Sequence, residues 1–458
     1  MTTEPRSKVT NEILNGNLFQ LMVKFTIPGI LGMLLIGFNS FLDALFAGQL
    51  IGETALAGIS LAVPLTSIVI GCAHLVGVGS ASVLSRAIGS EDTRTKSRIF
   101  GTLVIMSVII AFFITLLGYF FSDTLIAFMG GEGAVASAGT EYFRIYTSGS
   151  VFYILAVASS QLIKSEGKIP LAMIFSGIFA VLDAILNPIF ISVFNLGIGG
   201  VAFSTVISML VYSILNISYF LSNKSSIPVN LKKMTLALDL LPAILSVGLT
   251  ALLMEIISLV EQSVIFKSIA QYGTEHDIAL AGATLRIYAL AFIPVEGFVQ
   301  ALQPVVGINY GAKKYHRIKQ AFVTFSIAAT LCLGLIWLPL HIFPTTFLRI
   351  LLPNVIFSND DLFNFQIVNL LLLILPLGFC SVTLFQSLGN GKAAGFLILS
   401  KTLFFLIPFV LILSSFLGVR GVYYGMLLTD SLVVLISLVI TYLEFKKLGI
   451  QTKTAYDN

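Results

Sequence analysis

The sequence predicts an all-α integral membrane protein with twelve transmembrane helices in two pseudo-symmetric six-helix bundles around a central cleft. Three observations carry that expectation. The 458-residue chain has a mean hydropathy of +0.98 with only 10% charged residues, too little polar surface to clothe a soluble globule. Its apolar stretches last about 20 residues or more, the length a helix needs to cross roughly 30 Å of hydrocarbon, and they lack the polar–apolar alternation of a barrel strand. The second half of the chain also repeats the first.

In chain order the spans are 18–46, 55–84, 99–121, 140–162, 170–193, 199–221, 238–263, 278–305, 321–343, 362–386, 394–416 and 421–443. An even count puts both termini on one side, and basic residues decide which side. With the termini inside, the inner segments hold nineteen Lys and Arg residues, from Arg6 and Lys8 through Arg86, Lys232, Lys233 and Lys314 to Lys453, against Lys267, Arg349 and Arg420 outside. The expectation is a multi-pass protein of the cell inner (plasma) membrane with cytoplasmic termini. The net charge of +4 is then an orientation signal and carries no sign of nucleic-acid binding. No apolar core with a small-residue cleavage site follows the first sixteen residues, so no cleaved signal peptide is expected. Cys72, Cys332 and Cys380 lie far apart in apolar stretches, which argues against disulfides and zinc and for small core side chains.

Three pairs of segments define the repeat. "SRAIGSEDTRTKSRIF" after the second span answers "GINYGAKKYHRIKQAF" after the eighth, with Gly89 opposite Gly311; "QLIKSEGK" answers "QSLGNGK"; "LGIGGVA" answers "LGVRGVY". Six being even, both halves enter the membrane in the same sense, so an axis along the membrane normal should relate them. The domains are then a first lobe, 1–221, a cytoplasmic linker, 222–237, and a second lobe, 238–458. Two matching bundles around a cleft suit alternating access.

Ionisable groups inside the spans mark the chemistry. Asn39 and Asp43 are four apart on the first span, and Asp183 and Asn187 are four apart on the fifth, so each pair shares a helix face. A carboxylate in hydrocarbon costs at least roughly 2.5–3.5 kcal/mol, which protonation, a bound cation or a polar cavity must offset. Pro188 cannot donate to the carbonyl of Ala184, and a freed carbonyl beside a carboxylate suits a hard cation such as Na⁺. The second half carries Glu255, Glu261, Arg286, Glu296, Lys401 and Asp430 in its spans. Arg286 and Lys401 are expected to pair with nearby carboxylates, while Glu255 and Asp430 are second-lobe candidates for a cation. Gln161, Gln300, Gln303 and Tyr146, with abundant Phe and Met, are candidates for the adaptable wall of a substrate cleft.

"EGFVQALQPVVGINYGAKKYHRIKQAF" (296–322), "FNSFLDALFAGQLIGETALAGISLAVP" (38–64), "LFQSLGNGKAAG" and "GVRGVYYGMLLTDSL" together resemble the multidrug and toxic compound extrusion (MATE) family, closest to its DinF-like prokaryotic branch. The likeness covers essentially the whole chain. It implies a two-lobed antiporter that expels organic, often cationic, compounds in exchange for inward H⁺ or Na⁺. It also implies a cation site at Asp43, Asp183, Asn187 and Asn39, with Thr205 as a further ligand and Pro28 as the point where the first helix bends. The family's fifth helix usually reads Asn-x-x-x-Asp-Pro, whereas here Asp183 precedes Asn187-Pro188. The exchange keeps one face but moves the carboxylate about 6 Å along the axis.

No GxxxxGK[ST] is present, "GNGKAAG" lacks the upstream glycine, and the four histidines show no metal spacing. No GxSxG occurs either. The chain is expected to be no enzyme, with no cofactor beyond a coupling ion, H⁺ or Na⁺. Expected partners are small-molecule drugs or metabolites and membrane lipid, with no nucleic acid and a monomeric state. The alternative function is a lipid-linked oligosaccharide flippase of the wider superfamily; the acidic first lobe disfavours it, since pyrophosphate needs a basic cleft.

Overall fold

The computed structural model describes residues 7–222, 224–229 and 234–456, apart from the side chains of Ser40 and residues 450–456. Arg6, Lys232 and Lys233 of the inner charge count, part of the 222–237 linker and the side chain of Lys453 therefore lie outside the described residues. The first half contains α1 (Lys8–Asn15), α2 (Leu18–Phe46), α3 (Glu53–Gly89), α4 (Thr93–Phe128), α5 (Gly133–Ser148), α6 (Ser150–Ser165), α7 (Ile169–Pro188) and α8 (Gly197–Leu221). The second contains α9 (Leu241–Tyr272), α10 (Glu275–Gly311), α11 (Tyr315–Ile342), α12 (Pro344–Leu351), α13 (Asn359–Leu370), α14 (Leu375–Leu388), α15 (Gly391–Leu399), α16 (Ile407–Leu417) and α17 (Val419–Tyr456).

Among the described residues, eleven helical stretches are long and apolar enough to cross a membrane, and the short apolar α6 supplies the twelfth. The fourth span differs from a single helix because Gly149 interrupts it. A Cβ there would lie 2.4 Å from Val206, so the glycine lets α8 close on the break. The tenth span is likewise two helices, α13 and α14, joined by a 3₁₀ turn, with Pro376 in the first turn of α14. Side chains start several of the long helices: Asn17 accepts from the N–H groups of Phe19 and Gln20, Asp92 from that of Thr95, and Thr274 with Asp277 forms a capping box.

The lobes meet where backbone approaches backbone. A Cβ on Gly89 would fall 2.0 Å from the carbonyl oxygen of Ile308, and one on Gly311 would fall 2.0 Å from that of Arg86. The two glycines aligned by the repeat thus face each other's helices reciprocally, which locates the pseudo-symmetry axis between the ends of α3 and α10. Higher up, Gly79 abuts Ile244 of α9 and Gly248 abuts Leu75 of α3 in the same way. Gly29 of α2 rests on Gly297 of α10, with 3.2 Å between a would-be Cβ and the partner backbone. All these contacts lie in the half of the bundle nearer the chain termini, where the two lobes are closed on each other.

Polar straps reinforce that end. Arg317 and Asn309 donate to the carbonyl of Ile13, Arg317 also to that of Gly16, and Lys314 to that of Leu14, so the second lobe satisfies the final carbonyls of α1. The described part of the linker is tied to the first lobe, where Glu166 accepts from Ser225, Ser226 and Tyr219, and Arg98 of the first lobe holds Asp239, at the start of the second, through two bonds of 2.8 and 2.5 Å. Phe322 packs on Phe445, bringing the C-terminal helix to the same face as α1.

A Gly311→Val substitution forces these helix ends apart. Overpacking of this kind costs about 1–3 kcal/mol. Thermal unfolding of the purified protein should shift down by several degrees, while Gly282→Val, where a Cβ meets nothing within 4 Å, should leave it close to wild type.

Candidate functional site

The two polar pairs predicted on α2 and α7 come together, and they do so crosswise. Asn39 Nδ2 donates to Asp183 Oδ2 at 2.8 Å, and Asn187 Nδ2 donates to Asp43 Oδ1 at 2.8 Å. Both pairs bridge the same sequence separation, so α2 and α7 lie in parallel register at this level. Each carboxylate faces an amide of the other helix. Asn187 Nδ2 reaches back to the carbonyl of Asp183 as well, at 3.2 Å. Asp183 and Asn187 are wholly buried, and Asn39 nearly so.

The donors are few and the acceptors many. Among the described residues, Asn39 Oδ1, Asp183 Oδ1 and Asn187 Oδ1 are buried without any hydrogen bond, a costly state for neutral acceptors and more so for a carboxylate. Thr205, the predicted further ligand on α8, donates to its own helix at Val201 O, 3.2 Å away, and its hydroxyl lies beside Asp183. Ser204, which the sequence reading missed, stands beside Asp183 too while back-bonding to Val201. Tyr146 lies on α5, stacked on Tyr142, and both rings are buried next to the two aspartates. Their spacing of four, in "EYFRIY", was the available signal for Tyr142.

Both helices loosen just beyond the site. A π-helical turn, Ala47–Ile51, follows α2, and another, Ile189–Val193, follows Pro188. Such turns recur at functional positions because they free backbone groups. Pro28 lies inside α2, one residue before the glycine that touches α10.

The second lobe builds a related cluster from the helices that answer α2, α7 and α8 in the repeat. Lys401, in the π-helical segment Ser400–Leu406 that joins α15 to α16, sits 3.2 Å from Glu261 of α9 and 3.4 Å from Asp430 of α17. Thr402 donates to Glu261 at 2.5 Å. Lys401 therefore pairs as the sequence predicts, and Asp430 pairs with it. Arg286 does not follow the expectation: it is exposed and, among the described residues, forms no ion pair. Glu255 reaches across to the first lobe, 3.2 Å from His74 Nδ1. Gln300 also bridges the lobes, accepting from Lys164 at 2.8 Å and donating toward Met33. Gln303 Nε2 is buried without a partner, and Gln161 packs on Gly77 within the first lobe.

The family model for MatE matches residues 28–189 and 247–413, one block in each lobe. The chain belongs to the multidrug and toxic compound extrusion (MATE) family. Asp43, Asp183 and Asn187 fall within the first matched block, while Thr205 and Asp430 lie outside both. The multidrug export protein MepA of Staphylococcus aureus is 25% identical over 437 residues, which cover 95% of this chain and 96% of that protein. MepA of Staphylococcus saprophyticus is 25% identical over 442 residues, covering 93% and 94%. In fold, the MATE chain is similar to a crystal structure of a MATE protein in the bent conformation, with a TM-score of 0.92, 22% identity and coverage of 98% and 100%. It is also similar to an outward-facing multidrug resistance MATE transporter, with a TM-score of 0.90, 22% identity and coverage of 97% and 100%.

The crosswise geometry makes a thermodynamic prediction. Asn39→Leu strands a buried carboxylate oxygen, and removal of one partner costs about 1–3 kcal/mol or more for a charged group. Adding Asp183→Leu removes the stranded group, so the double variant should unfold at or above the temperature of Asn39→Leu alone. Additive losses in such a double-mutant cycle would show the two side chains to be uncoupled.

Proposed function

We propose that this MATE protein is a cation-coupled antiporter, driven by H⁺ or Na⁺, that exports organic, cationic or lipophilic compounds by alternating access across the bacterial plasma membrane. The single observation that carries the reading is the donor-poor, oxygen-rich cluster of Asp43, Asp183, Asn39 and Asn187. Its two carboxylates receive one amide each, and among the described residues one carboxylate oxygen, of Asp183, and the two amide oxygens stay buried without a hydrogen bond. A proton or a small hard cation supplies the missing positive partner, and its departure leaves the cluster in need of water or rearrangement.

Export itself is supported by the family and by the two MepA relatives, whose names describe multidrug export. Membership in a family of transporters also argues against an enzyme. The basic residues at the terminal face support cytoplasmic termini, and the closed state of that face then corresponds to access from outside. Coupling requires that the cation favour one state over the other; a site equally filled in both would move nothing. Helix α2 is placed to transmit the difference. Its outer half carries Asn39 and Asp43 against α7, and its inner half, around Pro28 and Gly29, rests on α10 of the opposite lobe.

Purified protein in proteoliposomes, loaded with an organic cation under an imposed sodium gradient, proton gradient or both, tests the reading. Efflux should follow one of the gradients and vanish in Asp43→Asn and Asp183→Asn, with both variants still folded. Efflux indifferent to both gradients would refute cation coupling. The double variant Asp183→Asn/Asn187→Asp restores the order usual in the family and should keep partial activity where Asp183→Asn alone has none. Equal activity in those two would show that the carboxylate's position on α7 does not matter.

A further inference from the structure

A cavity of about 290 Å³ lies inside the second lobe, apart from the Asp43/Asp183 cluster. Its size falls near the lower end of small-molecule sites. Five ionisable side chains line it: Glu255, Glu261, Glu296, Asp430 and Lys401. Most of the remaining wall is hydrocarbon and aromatic, including Phe292 and Phe379, whose rings meet edge to face at 4.8 Å.

The charges divide unequally. Lys401 is held between Glu261 and Asp430, so the helices that form an open cation cluster in the first lobe here carry their own tethered ammonium. A free cation would have to compete with a covalently attached one, and Asp430 is 5% exposed with its Oδ1 accepting no hydrogen bond. Glu255 is engaged by His74. Glu296 is different: among the described residues it makes no hydrogen bond and no ion pair, although it lies mid-helix on α10 and opens onto the cavity. The charged groups nearest it are His74, Glu255 and Lys164; Lys164 donates to the neutral amide of Gln300 and makes no ion pair with Glu296 among the described residues.

Glu296 and Phe292 are four residues apart on α10 and so share a face, placing a carboxylate one turn from an aromatic ring. A protonated amine with an apolar body is satisfied by that pair: the charge by the carboxylate, the adjoining carbon atoms by the ring face. A metal ion is a poorer fit. Among the described residues no three His, Cys, Asp or Glu side chains converge to hold one, and the acids stand around the cavity rather than at a point.

We propose that the second-lobe cavity is the binding subsite for an aromatic organic monocation, with Glu296 as its anchor, Phe292 and Phe379 as its wall, and Lys401 as a built-in counterion that keeps inorganic cations out. This rests on the export reading and gives it a place: ion and substrate occupy different lobes. The two therefore communicate through the lobe interface rather than by competing for one carboxylate.

Equilibrium binding of ethidium to the full-length purified protein, followed by fluorescence anisotropy, tests the proposal. Glu296→Gln should weaken binding by at least about 30-fold, as expected for removing one partner of a buried charge pair, and Glu296→Asp should recover part of it. Val433→Trp fills the cavity from α17 without touching the charges and should weaken binding similarly; it decides the matter where Glu296→Gln does not fold. Wild-type affinity in either folded variant overturns the proposal. Gradient-driven ethidium efflux by the unmodified protein separates the two ideas: efflux with unaltered binding in the variants removes the subsite alone, whereas no efflux under either gradient removes the export reading beneath it.

Discussion

Two carboxylates held by two amides across parallel helices form the constraint around which the first lobe is organised. Asp183 has no exposure and takes its one amide bond from Asn39, with the Ser204 and Thr205 hydroxyls beside it; Asp43 has Asn187. An ammonium or guanidinium in that position would bind the carboxylates permanently, as Lys401 does to Glu261 and Asp430 in the other lobe. Amides do not neutralise charge. They fix the geometry and leave the electrostatic demand outstanding, which suits a cluster whose positive partner comes and goes. The π-helical turns beyond Asp43 and Asn187 mark where both helices depart from regular geometry, so the helices bearing the cluster are not rigid rods beyond it.

The duplication gives three corresponding helices two chemistries. In the first lobe they carry Asp, Asp-x-x-x-Asn and a Ser-Thr pair; in the second they carry Glu261, Lys401-Thr402 and Asp430. A fixed internal ion pair needs no traffic with solvent, and taking one member away would strand the others at a cost of about 3–5 kcal/mol. The second cluster is thus a stable floor beneath a cavity, whereas the first is a site with unpaired acceptors. This asymmetry follows from a few side chains on nearly the same backbone, which is why the fold alone does not say which lobe does what.

Much of this was legible in the sequence because hydropathy and helical periodicity act locally. The twelve spans, the repeat, and the i,i+4 pairing of Asn39 with Asp43 and of Asp183 with Asn187 need only one helix at a time. Cross-helix facts were not legible. Nothing local says that Asn39 meets Asp183 rather than Asn187, since either register puts the pairs on facing sides; the parallel packing of α2 on α7 decides it. Ser204 and Tyr142 escaped because hydroxyls in apolar helices are common and only tertiary placement distinguishes them. His74 carried no metal spacing, and its partner, Glu255, lies 181 residues away in the opposite lobe. Arg286 was expected to pair because a charge in a span needs a partner, but that rule presumes burial, and its side chain is exposed.

The lobe interface sets the energy that any change between closed and open faces must supply. Its tightest contacts are glycine against backbone, at Gly89, Gly311, Gly79 and Gly248, set in an apolar core that both lobes share, with Leu84 and Ile88 from the first and Phe298, Leu302 and Ile308 from the second. Its polar contacts include His74 with Glu255 and Lys164 with Gln300, groups that water can solvate once the lobes part, besides the Arg317 and Lys314 straps to the end of α1. A hydrogen bond exchanged for water loses only about 0.5–1.5 kcal/mol net. A change from 1:99 to 99:1 between two states needs a difference of about 5.5 kcal/mol in ligand binding, slightly more than the roughly 3–5 kcal/mol that stranding one buried charge costs. Under the proposed coupling, the shared apolar core and the unpaired oxygens of the α2–α7 cluster set opposite demands: the energy a cation releases at the cluster would have to match the energy that holds the lobes together.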